Sequence, residues 1–289
     1  MKKKHIAVIG DSILDKYTFY NSTRLSPEAP VPVITKDSIK YFPGGAALTA
    51  SKLNSLGFNV DLFTQVGSDE NGERLLKILR ELKVYTFNKK NYSTILKNRL
   101  IVNKKYYLRE DYETKNSPNS GSFIDKFKSL MKKYDSIVFV DYDKGFLNES
   151  NFQKIKKISI DEGKLLFMDP HPKNIKSFEN INYLKPNLSE AKKITNLNKI
   201  NSILKLLSQQ FNTIPVITLG SEGSVSIENN KVIRSKVFSS DLIDPSGSGD
   251  IFFAYFISSI LHEQNLYTAI NYASKNATKN INNFGYDLS

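Results

Sequence analysis

Short apolar runs alternate with longer amphipathic ones along this chain, and each change of period predicts a change of element. His5–Gly10, Val60–Val66, Ser136–Val140, Leu165–Met168, Tyr183–Leu184 and Pro215–Leu219 read as short buried strands. Gly45–Leu56, Glu70–Leu82, Glu149–Asp161, Ile200–Phe211, Ser248–Leu261 and Leu266–Ile281 read as helices, the second with Leu75, Leu76, Leu79 and Leu82 on one face. Ser224–Ile227 and Val232–Val237 predict a hairpin turned at Asn229-Asn230. Repeated βα units predict an α/β fold: a doubly wound, largely parallel sheet flanked by helices. Its strands end in Asp11, Asp141, Asp169, Asn187 and Gly220, and ligands of open α/β sheets bind at the carboxyl ends of strands.

Two regions, about 17–42 and 92–110, break the alternation. The first carries Pro27, Pro30 and Pro32, with strand-like residues around Val31–Ile34. The second places Leu100-Ile101-Val102 and Tyr106-Tyr107-Leu108 on either side of Asn103-Lys104-Lys105, the pattern of a hairpin. Together they read as a small β lid, which would exclude water from a reacting group. Two ordinary surface insertions account for the same residues. A lid leaves unpaired edges, so it is expected either to fold over its own domain or to form a homodimer with a second copy. No repeat or linker divides residues 1–289, which read as a single domain.

Composition narrows the function classes. Apolar residues make up 40% and charged residues 24%, as in ordinary globular proteins. There is no cysteine, hence no disulfide framework or thiolate metal site, and His5, His171 and His262 are too scattered for a zinc motif. The apolar run after Met1-Lys2-Lys3-Lys4 is too short for a signal peptide and no segment approaches membrane-spanning length, so a cytoplasmic protein without a membrane partner is expected. The net charge is +12, but the lysines are dispersed among asparagines without an arginine-rich helix. A compositional bias explains this better than a nucleic-acid partner, and the charge would steer an anionic substrate.

The densest chemistry lies in Asp244-Pro245-Ser246-Gly247-Ser248-Gly249-Asp250, just before the apolar helix. Small residues let several N–H groups converge at a helix start, which with the helix dipole suits a phosphate. Asp250 in the first turn would take a proton from an attacking hydroxyl. A capped helix after a glycine-rich turn is the plainer account. Gly44-Gly45-Ala46-Ala47 permits close approach of a ligand or of a packed strand, and Asp11 and Asp15 suit vicinal hydroxyls or local turns. Asn187 and Glu190 share one face of a helix start and suit Mg²⁺ through water, or else a capping box. Thr218, Gly220 and Gly223 form a turn suited to a nucleotide. No G-x-x-x-x-G-K-[ST] loop occurs, and Gly247-Ser248-Gly249-Asp250-Ile251-Phe252 lacks the third glycine of a dinucleotide fingerprint.

In this order, Gly44-Gly45, Asn187…Glu190 and Asp244…Asp250 resemble the motifs of ribokinase-like, PfkB-type sugar kinases along nearly the whole chain. The resemblance implies a ribokinase-like fold using ATP and Mg²⁺. It makes Asp250 the general base, with the N–H groups of Gly247, Ser248 and Gly249 stabilising the transferring phosphoryl group. Asn187, Thr218, Gly220, Gly223 and Asp244 would join Gly247 and Gly249 around the nucleotide, and Asn187 and Glu190 would hold the metal. Arg24 before Ser26-Pro27-Glu28-Ala29-Pro30-Val31-Pro32-Val33 resembles, more narrowly, bacterial heptose-7-phosphate kinases of lipopolysaccharide-core synthesis. So do Asp15-Lys16-Tyr17, Lys97-x-Arg99, Leu108-Arg109-x-Asp111, Asp141-Tyr142-x-Lys144-Gly145 and Asp169-Pro170. Such enzymes phosphorylate the anomeric hydroxyl of D-glycero-D-manno-heptose 7-phosphate. Asp11, Asp15, Gly44, Gly45, Asp141 and Lys144 are then expected at the sugar, and Arg24, Lys97, Arg99 and Arg109 at its phosphate. Some carry a fused nucleotidyltransferase; no second domain follows Gly285, so a kinase alone is expected here. Departures from the pattern are Leu48 in place of a sugar-contacting Asn, Asp143 in place of a small residue, His171-Pro172 in place of Lys-Gly, and Pro245 in place of Val or Thr. Another sugar, sugar phosphate or nucleoside as acceptor, and a non-catalytic sugar- or nucleotide-binding relative, are the alternative readings.

Overall fold

Strands β1 (His5–Gly10), β8 (Ser136–Val140) and β9 (Leu165–Asp169) are apolar on both faces, which only a sheet covered on both sides can accommodate. In the computed structural model, which describes residues 3–88, 91–113, 120–173, 178–238 and 241–286, that is their position. The order along the main sheet is β13-β12-β11-β10-β9-β8-β1-β4-β5. Its other members are β4 (Asn59–Thr64), β5 (Lys83–Thr86), β10 (Tyr183–Leu184), β11 (Ile214–Thr218), β12 (Ser224–Glu228) and β13 (Lys231–Arg234). All pairings are parallel except β11–β12 and β12–β13. Ile6 and Val8 of β1 point into one core and Ala7 and Ile9 into the other. The first core is closed by α1 (Ala46–Ser55), α2 (Glu70–Ile78), α7 (Ser248–Leu261) and α8 (Leu266–Asn280). The second is closed by α3 (Ser120–Leu130), α4 (Glu149–Asp161), α5 (Leu188–Thr195) and α6 (Ile200–Phe211).

The expected doubly wound sheet is thus present, as is the hairpin: Asn229 and Asn230 both take positive φ, which a two-residue turn between twisted strands requires. Three local expectations need correction. The second helix stops at Ile78, four residues short, because Leu79 leaves helical geometry as its cap. Strand β5 and helix α3 were not foreseen. Strand β13 ends at Arg234 rather than at Val237.

The two irregular regions form a second sheet of four strands, ordered β3-β2-β6-β7. Strand β2 (Ser12–Leu25) follows β1 almost without a break and pairs antiparallel with β3 (Pro32–Gly45) and parallel with β6 (Leu96–Val102). Strand β7 (Lys105–Tyr112) completes it through a turn at Asn103-Lys104, both at positive φ. The lid therefore begins at Ser12 and ends at Tyr112, longer than its apolar residues foretold. Registers place Phe42, Asp15, Lys97 and Asp111 in one row, and Lys40, Tyr17, Arg99 and Arg109 in the next on the same face.

Strands β4 and β8 flank β1, so the chain's direction of winding reverses between β1 and β8, the crevice where such sheets bind ligands. The seam is tight: a Cβ added at Gly10 would lie 2.0 Å from the carbonyl oxygen of Val140. Gly10→Ala is therefore expected to force the two central strands apart and to destabilise the protein by about 1–3 kcal/mol or more. A lowered urea midpoint would report this, and an unchanged midpoint would contradict it.

Candidate active site

The strand tips Gly10-Asp11, Asp141 and Asp169 meet the start of α7 at this crevice. Gly247 caps that helix in the left-handed region at φ 67°, which turns the chain sharply enough to bring Asp250 inward. Asp250 is 3% exposed and accepts a hydrogen bond from the Tyr142 hydroxyl at 2.9 Å. Burial raises its pKa to about 7, helped by the nearby charge of Asp169 and opposed by Lys185. Asp169 is raised to about 6, again mainly by burial, with Lys185 pulling it down from 2.9 Å. The ammonium of Lys185 is fully buried, yet Asp169 and Glu190 keep it charged. It lies 3.6 Å from the place a Cβ on Gly249 would occupy, beside the opening turn of α7. Of the three N–H groups expected to face an anion, that of Ser248 is donated to the Pro245 carbonyl. Those of Gly247 and Gly249 have no partner among the described residues and start the helix.

A cavity of about 500 Å³ opens against this turn. It is lined by Thr218, Gly220 and Gly223 from the end of β11, by Ser248 and Gly249, and on its apolar side by Phe238, Leu242 and Ala277 among others. A planar base fits between such walls with its phosphates toward the helix start. A second cavity of about 520 Å³ lies away from the sheet's carboxyl edge, between α1 and α2, and holds none of the strand-tip carboxylates. Size alone therefore does not mark the site.

The remaining expected residues divide. Asn187 and Glu190 form a reciprocal capping box: Glu190 N–H donates to Asn187 Oδ1 at 2.9 Å, and Asn187 N–H to Glu190 Oε2 at 2.7 Å. The cap engages Oε2 and leaves Oε1 outside it. Among the described residues no group of three or more acidic or histidine side chains is placed to cage a metal. This donor set fits Mg²⁺ held largely by water and phosphate oxygens, with Glu190 contributing charge. Asp244 lines no part of the cavity. Its carboxylate accepts from Tyr17 (2.6 Å), Tyr106 (2.5 Å), the Ser246 N–H (2.9 Å) and the Gly285 N–H (3.2 Å). Against the effect of burial, the two lid hydroxyls hold it below the usual carboxylate range. Asp244 thus fastens the lid to the turn that opens α7.

On the acceptor side, Asp11 accepts three N–H groups, those of Tyr142, Lys144 and Phe146, and so shapes the loop after β8. Burial still raises its pKa. Asp141, nearly buried, accepts from the Asp143 N–H, and Lys144 pairs with Glu113 at 2.6 Å. Gly44 lies against the Asp15 carboxylate, and a Cβ there would come within 2.5 Å of Oδ2. Gly45, at φ 60°, sits on the Asp11 carbonyl. Arg99 is buried, forms an ion pair with Asp15 and lies 5.1 Å from the Tyr17 ring centre. Lys97 sits beside it, 5.5 Å from the centre of the Tyr142 ring, with its pKa lowered by burial. Arg109 shares their face but is exposed and paired with Asp111 at 2.8 Å. Arg24 is exposed four residues beyond the last β2–β6 pair and is not brought to the others. Tyr142, Lys185 and Asp169 went unassigned from sequence, although all three lie within quoted motifs. Tyr286, whose hydroxyl donates to Asp15 at 2.6 Å, had no motif to announce it.

The chain belongs to the pfkB family of carbohydrate kinases, whose description matches residues 3–288. Among curated proteins it is 30% identical over 298 residues to the bifunctional protein HldE of Helicobacter acinonychis (strain Sheeba), covering 99% of this chain and 64% of that protein. It is also 30% identical to bifunctional protein HldE of Aliarcobacter butzleri (strain RM4018), covering 94% and 60%. The chain thus spans less than two thirds of these relatives' length. Among solved structures, a putative ribokinase from Agrobacterium tumefaciens superposes with a TM-score of 0.80 at 17% identity, over 98% of this chain and 93% of that one. Ribokinase of Arabidopsis thaliana complexed with ribose and ATP gives 0.76 at 16% identity, over 99% and 95%. The ribokinase-like fold is shared. No helix among the described residues is long and apolar enough to cross a membrane.

As a base, Asp250 must be ionised, and its pKa lies near 7. We therefore expect kcat/KM to fall as pH drops below about 7, read from a pH–rate profile. Lys185→Met removes a cation that favours the ionised form, so the acid limb should move to higher pH; a limb that moves down or stays would contradict the assignment. Asp250→Asn should lower kcat by about 10²–10⁴-fold with little change in ATP affinity by calorimetry. Near wild-type turnover in the folded variant would remove Asp250 from that role.

Proposed function

We propose that this carbohydrate kinase transfers the γ-phosphoryl group of ATP to the anomeric hydroxyl of a heptose 7-phosphate, giving the 1,7-bisphosphate. The observation that carries the transfer is the position of Asp250, a carboxylate with a pKa near 7 in the first turn of a helix that opens on a cavity of nucleotide size. An acceptor hydroxyl held at Asp250 would lose its proton there as it attacks. The N–H groups of Gly247 and Gly249, with Lys185 beside them, would meet the charge that spreads over the phosphoryl oxygens. Mg²⁺, when bound with the nucleotide, neutralises phosphate charge, and Glu190 and Asn187 would hold its waters. The lid would exclude water that otherwise competes as acceptor.

The acceptor assignment rests on the lid's inner face and on the HldE relatives. Asp15 is aimed by its ion pair with Arg99, which leaves Lys97 and Arg109 as the cations for a substrate phosphate. Both have acidic neighbours, which a phosphate could displace from Arg109 by offering two oxygens to its fork. Arg24 would reach such a phosphate only in a different lid position, or from a second copy. The outer lid face supports a homodimer: Ile39 and Leu108 are exposed at the two ends of one cross-strand row, with Thr18 buried and Leu100 half-buried between them. Leu48, buried where the pattern has a sugar-contacting Asn, favours the second reading, a PfkB-type kinase of another sugar phosphate.

A panel of sugar phosphates and their dephosphorylated forms, read by ADP release, tests the proposal. Heptose 7-phosphate should exceed heptose in kcat/KM by at least tenfold. Arg109→Glu should raise KM for the sugar phosphate by about tenfold, the loss expected for a charge-assisted contact, while KM for ATP stays put. Equal kcat/KM for the two sugars would leave a kinase of other specificity.

A further inference from the structure

The segment after α8 returns across the lid's inner face. The Phe284 ring packs against Phe19 and Tyr106, with ring centres 5.8 and 5.7 Å away. Gly285 donates its N–H to Asp244, and at φ 86° it has no room for a side chain, since a Cβ would lie 2.2 Å from the Phe42 ring. This turn delivers Tyr286 into the crevice, where it is 8% exposed. Its ring covers Gly247: a Cβ there would lie 2.4 Å from the Tyr286 ring and 2.7 Å from Leu48. Its hydroxyl donates to Asp15 Oδ2 at 2.6 Å, while Arg99 holds Oδ1.

Asp15 and Asp250, the two carboxylates that the proposed function assigns to acceptor binding and deprotonation, are each 3% exposed. An acceptor reaches neither unless something now in the crevice moves. Arg99 cannot leave without stranding a buried charge, whereas a phenol that withdraws loses one hydrogen bond and regains water. Leu48 and Tyr286 also belong together: an apolar side chain at 48 gives the phenol ring a packing partner that a polar amide would not.

We propose that Tyr286 is an acceptor-specificity residue whose phenol takes the hydrogen-bonding position on Asp15 Oδ2 that an acceptor hydroxyl must win. Rested on the reading of Asp15 above, this makes binding an exchange of one hydroxyl for another. An acceptor with a hydroxyl in the right place replaces the phenol at little net cost. A deoxy analogue displaces it and leaves a buried carboxylate oxygen unpaired, which sites of this kind reject strongly.

Steady-state kinetics of Tyr286→Phe with heptose 7-phosphate and ATP test the exchange. The variant keeps the ring and loses the competing hydroxyl, so KM for the sugar phosphate should fall about three- to tenfold while KM for ATP does not change. In the wild type, hydrogen–deuterium exchange of the peptide containing Phe284–Tyr286 should speed up on adding the sugar phosphate, because the Gly285 amide loses Asp244 as the segment withdraws. A merely structural tyrosine would leave both readouts unmoved, with only the Tyr286→Ala variant losing thermal stability. An unchanged or raised sugar-phosphate KM in Tyr286→Phe, or slower exchange with acceptor bound, overturns the inference and leaves the kinase reading standing. A wild type that phosphorylates no sugar phosphate overturns the reading of Asp15 and this inference with it.

Discussion

Buried carboxylates gather at one edge of the sheet, and the neighbouring elements are arranged to make that tolerable. Each ionised group in such a place needs hydrogen bonds or a partner charge. Asp11 has three backbone N–H groups, Asp15 has Arg99 and Tyr286, and Asp169 has Lys185. Asp250 receives one hydroxyl, from Tyr142, and stands close to a second negative charge. It lacks the direct ion pair that Lys185 gives Asp169, and its pKa rises further, to about 7 against about 6. The proton affinity of Asp250 is set as much by what its neighbours have already used as by its own position.

The same accounting ties the lid to the chemistry. Tyr17 and Tyr106 reach Asp244 from lid strands, while Asp15 and Arg99 are paired on neighbouring lid strands and meet Tyr286 from the segment after α8. Opening the lid would strip Tyr17 and Tyr106 from Asp244 and part Asp15 from Tyr286. Lid position and the geometry of the α7 turn are therefore coupled through Asp244, whose backbone leads directly into Gly247.

The sheet and helices were legible because burial on both faces writes continuous apolar strands, and because Gly57, Gly163 and the Asn229-Asn230 pair punctuate them. The lid was only half legible. Strand β2 carries Asp15, Lys16, Thr18, Asn21 and Ser22, polar residues that hide the alternation by which a strand is read. Strand β5 has four residues at a sheet edge, too few for a period, and α3 follows a stretch without apolar signal. At the site, residues within one motif could be grouped from spacing alone: Gly247 to Asp250, and Asn187 with Glu190. Spacing could not tell that Arg99 would be consumed by Asp15, 84 residues away, or that Tyr286 would meet the same carboxylate across 271. The first pairing is set by the β2–β6 register within the lid and the second by the return of the segment after α8, long-range events with no local signature.

The raised pKa of Asp250 also places function in opposition to stability. A carboxylate whose folded pKa exceeds its unfolded value binds its proton more tightly in the native state. Its contribution to stability is fully present at low pH and is lost as pH rises from the ordinary carboxylate range to about 7. The ionised form that the proposed role as base requires is thus the form the fold tolerates least. Lys185 limits that conflict, since its charge draws down Asp250 and Asp169 together. Burial of Asp250 strengthens its hold on a proton, and the buried ammonium of Lys185 limits that hold, the balance that the proposed role as base requires.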